Sequence, residues 1–165
     1  MPRSDLRVRR TRRGDFELLI PELERRMLST LPAQMRELLD GGDPSTRRLF
    51  PPAYTDDAEL EAEYKGMVRD DLDAGRRRSL DVLEETLNAK RIDEEQMTAW
   101  LTALNDVRLV LGTRLDIEDE EAGADVAEDD PQAPVFALYH YLGWLVSQVV
   151  DALATGLDPG GTVPD

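Results

Sequence analysis

The sequence predicts a mainly α-helical protein, a helical bundle with a small N-terminal β-hairpin. After Pro21, apolar residues recur at three- and four-residue steps, which places them on one face of a helix. Before Pro21, two short runs of alternating apolar and charged residues flank Gly14, a pattern typical of a hairpin. The chain has 165 residues, of which 41% are hydrophobic and 33% charged, and this composition fits one globular domain. We expect that domain to span residues 1–157.

The hairpin is predicted over about residues 6–20 and is rich in arginine. Residues 1–13 carry six arginines and one aspartate, which give this segment a charge of +5. Because the whole chain has a net charge of −15, the remaining residues together carry −20. Such asymmetry can mark an arm that contacts nucleic acid. The interpretation we favour is structural, because charges on an edge hairpin protect it from pairing with other chains. If the hairpin binds nucleic acid, the contacts would come from Arg7, Arg9, Arg10, Arg12 and Arg13.

The first helical stretch follows Pro21 and is interrupted by Pro32, which predicts a kinked helix or two short ones. Three prolines predict a loop over residues 41–57. Helical spacing then returns over residues 58–88, with a break expected near Gly75.

Asp93 and Gln96 have the spacing of a capping box, and they predict a helix that runs to about Leu115. Residues 116–130 hold nine acidic side chains and no Lys or Arg, which predicts a solvated acidic loop. The last helix is predicted to open after Pro131. A Pro/Gly-rich tail over 158–165 is predicted to be disordered.

The predicted central helix carries a group of polar residues. Arg108 falls near the middle of its apolar stripe, and an uncompensated buried charge is costly, so we expect Arg108 to be paired. The group could bind a small anion or a partner carboxylate, because arginine offers a forked donor. We favour a structural polar core, formed by Asn105, Asp106, Arg108 and Arg114; the apolar stripe is Met97, Leu101, Leu104, Leu111 and Leu115.

The last helix is apolar on two sides. Phe136, His140 and Trp144 step by four residues and lie opposite the main core face. Large aromatic side chains there need a second cover, which could be another helix, a second subunit or a partner protein. From this face we expect a homodimer as one outcome. The predicted core face comprises Val135, Leu138, Tyr139, Leu142, Leu145, Val146, Val149, Val150 and Leu153.

Composition argues against several classes of function. The chain has no cysteine, which excludes disulfides, thiol chemistry and Cys-based zinc sites within it, and one histidine cannot form a His-rich metal site. Neighbouring acidic residues diverge on a helix and do not form a catalytic carboxylate pair. We therefore expect no enzymatic activity, no cofactor and no metal.

The N-terminus lacks an apolar signal core, and the last hydrophobic region is too short to span a bilayer comfortably. We therefore expect a cytoplasmic protein without membrane contact.

Four segments together resemble an actinobacterial family described as a domain of unknown function. They are Arg47–Tyr54 (RRLFPPAY), Arg69–Leu72 (RDDL), Trp100–Arg114 (WLTALNDVRLVLGTR) and Tyr139–Trp144 (YHYLGW). Genes of this family commonly lie beside that of the Clp protease adaptor, and the family includes the AosR-type oxidative-stress transcriptional regulators. The resemblance covers nearly the whole chain, and its central motif is the most distinctive.

The resemblance implies a non-catalytic protein that influences transcription through a protein partner, such as a sigma factor or another part of the transcription machinery. Redox-sensing members of the family use a Cys-x-x-x-Cys pair, which this chain lacks, so thiol sensing is not carried over. Two classes of function remain after sequence analysis. The first is a regulatory interaction protein, and the alternative is a direct DNA-binding regulator that uses the Arg-rich hairpin.

Overall fold

A computed structural model describes residues 5–50, 58–116 and 128–155. It confirms the mainly α fold with a small sheet at the N-terminal end. The predicted acidic loop over 116–130 and the tail over 158–165 fall almost entirely outside the described residues. Within the first of these segments, residues 128–130 are exposed.

The predicted hairpin is present, and a third strand extends it. Strand β1 (Val8–Arg10) pairs antiparallel with β2 (Phe16–Leu18), and Gly14 in the connecting turn has a φ of +88°. That φ suits glycine because it lies in the left-handed region. Strand β3 (Arg91–Ile92) pairs antiparallel with β2. Sequence analysis missed β3 because two residues are too few to show an alternating pattern. Apolar side chains of the sheet are buried in the core: Val8, Phe16, Leu18 and Ile92.

The segment around Pro32 forms two short helices, one of the two outcomes predicted. Helix α1 spans Glu22–Ser29 and α2 spans Leu31–Asp40, with Pro32 in the first turn of α2, where no helical N–H bond is lost. Part of the predicted loop over 41–57 is helical, so the prediction is wrong for that part. Residues Pro44–Leu49 form a 3-10 helix, which the Asp43 side chain caps by accepting from the backbone N–H of Ser45 at 2.9 Å.

Helix α3 (Ala58–Thr86) continues through Gly75, so the predicted break there is wrong. A glycine inside a helix costs about 1 kcal/mol relative to alanine. The C-terminal half of α3 outweighs that cost because Leu80 and Leu83 are fully buried in the core. A helix break needs more than one unfavourable residue when the flanking turns are held by tertiary packing.

Helix α4 (Glu94–Arg114) lies at the centre of the fold and packs against α3, α5 and the 3-10 helix. Its predicted capping box is confirmed, because the Asp93 carboxylate accepts from the Gln96 N–H at 2.8 Å and the Gln96 amide oxygen accepts from the Asp93 N–H at 2.9 Å. Trp100 is fully buried, and its indole N–H donates to the Thr86 hydroxyl at 2.7 Å.

The buried stripe of α4 is rotated from the predicted one. Three predicted members, Leu101, Leu111 and Leu115, are only half-buried. Because α4 contacts neighbours on several sides, the leucine spacing did not determine which face is most deeply packed. The buried apolar residues of α4 are Met97, Trp100, Ala103, Leu104, Val107 and Val110.

Helix α5 (Ala133–Ala154) packs against α4 and β1 along one face. Among the described residues, α5 is the one helix that is long and apolar enough to cross a membrane, with 22 residues and a mean hydropathy of 1.2. The core helix of a water-soluble protein meets the same two criteria. Only 22% of the residues in that window are buried, so much of this apolar helix remains open. Val150, which we had placed on the core face, is 43% exposed. The buried residues of α5 are Tyr139, Leu142, Leu145, Val149 and Ala152.

Candidate binding site between helices α4 and α5

A buried ion pair joins α3 to α4. The Asp106 side chain is 4% exposed and its carboxylate lies 2.5 Å from a guanidinium nitrogen of Arg76, which is 19% exposed. The same guanidinium donates twice to the carbonyl oxygen of Leu49, at 2.8 and 3.1 Å, so it also fastens the end of the 3-10 helix. Burial raises the pKa of Asp106 above its usual value, although the Arg76 guanidinium opposes this. The buried charge of α4 is therefore Asp106, and sequence analysis did not find Arg76.

Arg108 is half-buried, at the edge of the α4 core stripe instead of its middle. Its guanidinium carbon lies 5.0 Å from the centre of the Tyr139 ring of α5, within the range of a cation–π contact. A Cβ built on Gly143 would come within 3.1 Å of Arg108 Nε. Arg108 therefore lies against the bare backbone of α5, and an alanine at position 143 would require the Arg108 side chain to shift by a few tenths of an ångström.

A second glycine allows the same close approach from the opposite helix. A Cβ built on Gly112 of α4 would lie 3.3 Å from the Tyr139 ring and 3.8 Å from the Arg48 guanidinium. Both glycines lie inside helices, where glycine is otherwise unfavourable, and such positions often mark close packing of two backbones. The two segments that carry the family resemblance, Trp100–Arg114 and Tyr139–Trp144, thus meet at this contact.

Beside this contact is a surface cleft of about 340 Å³, which we call the Arg108 cleft. Its walls combine a guanidinium, an imidazole, a hydroxyl and two aromatic rings. No acidic residue is among the described residues that line it. They are Arg108, Tyr139, His140, Gly143, Trp144, Val146 and Ser147.

The other two members of the predicted polar core lie apart from the cleft. Asn105 is half-buried on α4. Arg114 is near the end of α4, half-exposed, with its guanidinium 3.9 Å from the Asp43 carboxylate. Of the four predicted residues, the structure thus places Asp106 in a buried pair and Arg108 in the wall of a cleft, while Arg114 faces the 3-10 helix cap.

The predicted aromatic face of α5 is open in this chain. His140 is exposed, Trp144 is 38% exposed and Phe136 is half-buried. Trp144 is partly covered by the Arg7 guanidinium, whose carbon lies 5.1 Å from the ring centre, and by the Tyr141 ring at 5.9 Å. We define the outer face of α5 as the residues Phe136, His140, Gly143, Trp144, Ser147 and Val150.

Three of the five hairpin arginines are engaged within the chain. Arg7 pairs with Glu24 at 3.0 Å, and its side chain is only 14% exposed. Arg9 pairs with Glu17 across the hairpin, and Arg10 lies 3.6 Å from the Glu94 carboxylate. The remaining two arginines are exposed at the turn: Arg12 and Arg13.

The Arg7 pair is part of a junction between the N-terminal segment and α5. The Arg7 backbone N–H donates to the Gln148 amide oxygen at 2.6 Å, and the Gln148 amide nitrogen donates to the Asp5 carbonyl at 2.7 Å. Although burial works against it, the hydrogen bond from Arg7 lowers the pKa of Glu24, and the nearby Tyr141 hydroxyl acts in the same direction. Burial and the neighbouring Glu24 carboxylate raise the pKa of the Tyr141 hydroxyl. These contacts hold the sheet against the side of α5 that adjoins Trp144.

Fold and site together define a mainly helical domain with a small N-terminal sheet and an open cleft between its two central helices. Among the described residues, no cluster of three or more His, Cys, Asp or Glu side chains could hold a metal ion. The family model described as "Domain of unknown function (DUF2017)" matches residues 5–153, so the chain belongs to that family.

A curated relative from Mycobacterium leprae (strain TN), named "Putative oxidative stress regulator AosR", is 30% identical over 128 residues. The match covers 67% of this chain and 58% of the relative, so the chain spans less than two thirds of that protein's length. No solved structure matches the chain. The family expected from the sequence motifs is thus confirmed, and the relative's name is consistent with a regulatory role.

Proposed function

We propose that this protein is a non-catalytic cytoplasmic regulator that influences transcription by binding another protein through the outer face of α5. Support comes from the name of the M. leprae relative, which describes a regulator of the oxidative stress response. The chain contains no cysteine, so any signal it receives does not act through a thiol of these residues.

The observation that carries the proposal is the contrast between α5 and the rest of the surface. The chain has a net charge of −15 and 33% charged residues, whereas α5 contains a single acidic residue, Asp151, and no Lys or Arg. Its outer face exposes Trp144 and Val150 beside the exposed His140. The residues of this face carry no formal charge and include a tryptophan, and the guanidinium groups of Arg7 and Arg108 lie at its edges. The centre of a protein interface is likewise depleted of charged residues and enriched in tryptophan.

The partner we propose is a component of the transcription machinery, with a sigma factor as the first to test. The net charge of −15 on the whole chain would steer a partner with a basic surface and raise its association rate. Association should accordingly slow as salt concentration rises, because screening shortens the range of this attraction.

Affinity capture from the native cytoplasm tests the proposal. The wild-type protein is expected to retain a protein that is identified by mass spectrometry, with RNA polymerase and sigma subunits tested in parallel. Trp144→Ala should lose that protein, while Met67→Ala should keep it, because Met67 is 70% exposed on α3, a helix that packs against α2 and α4. Capture that is equal for the two variants would refute the α5 face as the interface, provided that both variants melt at the wild-type temperature.

The same face would also support a symmetric homodimer, the commonest form of oligomer. Light scattering on the wild type and on Trp144→Ala measures this directly. A dimer that dissociates in the variant places the face between two copies, and a monomeric wild type leaves it for another protein.

The alternative function is direct DNA binding by the hairpin. The exposed Arg12 and Arg13 favour it, and the pairing of Arg7 with Glu24 weighs against it because a neutralised arginine releases few counterions. Fluorescence anisotropy with duplex DNA over a range of salt concentrations separates the two functions. Tight binding at physiological salt that is weakened by Arg12→Gln and Arg13→Gln would replace the proposal above.

A further inference from the structure

We propose that the Arg108 cleft is a binding site for a small organic carboxylate with a flat apolar body. This inference goes beyond the proposed function. The cleft shares His140, Gly143, Trp144 and Ser147 with the outer face of α5, but its test uses this chain alone, so the result is separate from partner capture. Its volume of about 340 Å³ falls in the range of small-molecule sites, which span roughly 300–1,000 Å³.

The guanidinium of Arg108 supplies the anion-binding group. A guanidinium carries five N–H donors in a fixed fork, and a carboxylate needs only two of them. Contact with Tyr139 at 5.0 Å and with the backbone at Gly143 restricts where the guanidinium can lie. A donor that is already positioned loses less conformational entropy when the ligand binds, which favours affinity.

The other polar groups of the cleft suit the same ligand. The His140 imidazole and the Ser147 hydroxyl line it, and both can donate a hydrogen bond to a carboxylate oxygen. The Ser147 hydroxyl donates to the Gly143 carbonyl at 3.1 Å, so its single proton would have to turn from that carbonyl to a bound carboxylate. The described residues that line the cleft thus offer hydrogen-bond donors of three kinds: a guanidinium, an imidazole and a hydroxyl.

The apolar walls indicate what the carboxylate would be attached to. Tyr139 and Trp144 contribute rings, and Val146 contributes an aliphatic surface. Flat aromatic or conjugated groups gain contact area against such rings. Inorganic phosphate would use the guanidinium but not these walls, so the cleft should prefer a planar carboxylate to phosphate.

The chain contains one histidine, and it lines the cleft, so its ring resonances report on this site alone. The experiment titrates the full chain with benzoate and, separately, with inorganic phosphate at constant ionic strength, while carbon–proton NMR follows the His140 ring. Benzoate is expected to move the His140 signal saturably, with an affinity at least several-fold higher than that of phosphate. Absence of a saturable shift up to tens of millimolar benzoate, or equal affinity for phosphate, would overturn the proposal.

Arg108→Gln should weaken benzoate binding about tenfold or more, because a hydrogen bond to a charged group is lost. Arg114→Gln is the matched control, since it removes the same charge from a half-exposed position on the same helix and should bind as the wild type does. The indole signal of buried Trp100 reports whether each variant is folded. If Arg108→Gln does not fold, Arg108→Lys decides, because it keeps the charge but lacks the fork of N–H donors and should also weaken benzoate binding. Wild-type affinity in the folded variant would refute the site.

Discussion

Removing Arg76 should destabilise the fold more than any other single loss of charge that the structure describes. Arg76→Ala would leave the Asp106 carboxylate, 4% exposed, without its cation. Breaking a buried pair in this way costs about 3–5 kcal/mol. The two hydrogen bonds to the Leu49 carbonyl would be lost as well. We therefore expect the free energy of unfolding at pH 7 to fall by about 3–5 kcal/mol.

Asp106→Ala should cost less, about 2–3 kcal/mol, because Arg76 is 19% exposed and keeps its bonds to the Leu49 carbonyl. The double variant Arg76→Met with Asp106→Leu removes both charges and should be more stable than Arg76→Ala. Urea denaturation followed by far-UV circular dichroism measures all three. The control is Arg36→Ala, whose two partners are half-exposed carboxylates and whose loss should cost at most about 1 kcal/mol. A cost of Arg76→Ala no larger than that of the control would refute this reasoning.

The same pair has a pH dependence with a definite sign. Burial raises the folded-state pKa of Asp106 above 3.8, so between 3.8 and that higher value the folded state binds more protons than the unfolded state. The pH-dependent part of the stability that Asp106 contributes is therefore fully present below pH 3.8 and is lost as pH rises through the folded pKa, while the ion pair with Arg76 remains. Asp106→Asn should remove this component, and wild type and variant should differ in the slope of unfolding free energy against pH within that window.

Three further predictions concern other parts of the fold. Despite burial, the Arg7 hydrogen bond lowers the pKa of Glu24. The ionised Glu24 therefore stabilises the fold above pH 4.5, and this stabilisation is lost as pH falls through the folded pKa. The melting temperature of Glu24→Gln should fall less steeply with acid than that of the wild type. Gly75→Ala, with no contact closer than 3.7 Å, should stabilise the protein by up to about 1 kcal/mol in urea denaturation. Gly112→Ala should be less favourable than Gly75→Ala by about 1 kcal/mol or more, because its Cβ would lie 3.3 Å from the Tyr139 ring, and equal effects would contradict the close approach of α4 and α5. Diamide should leave near- and far-UV circular dichroism unchanged, since the chain has no thiol, and a diamide-dependent change would contradict this.

Local sequence signals predicted the elements whose cause is local. The turn at Gly14 and the capping box of Asp93 with Gln96 depend on residues within a few positions of one another, and both were found. The expected break at Gly75 failed because distant packing outweighs a propensity of about 1 kcal/mol. Strand β3 was missed because its two residues are placed by β2, which is 76 positions away along the chain at the Phe16–Ile92 pair.

The candidate site was only partly predictable for the same physical reason. Asp106 and Arg108 were singled out as polar residues of a central helix, but the partner of Asp106 is Arg76, which lies 30 positions away on another helix. Tyr139 was assigned to the core, and its contact with Arg108 depends on how α4 and α5 are rotated about their axes. The glycines inside both motif segments were the available signal of that close approach.

The charge distribution bears on which function is the better proposal. An arm with a balance of +5 suggests nucleic acid when it is considered alone, yet in the fold Arg7, Arg9 and Arg10 lie beside carboxylates of the same chain. Arg7 is also held against Trp144, so part of the basic arm stabilises the edge of the α5 face. If these arginines bound DNA phosphates, their contacts with the carboxylates would be lost, and that loss would weaken binding. A protein that covers Trp144 would leave the Arg7–Glu24 pair intact. The same arginines that suggested DNA binding therefore favour a protein partner at α5.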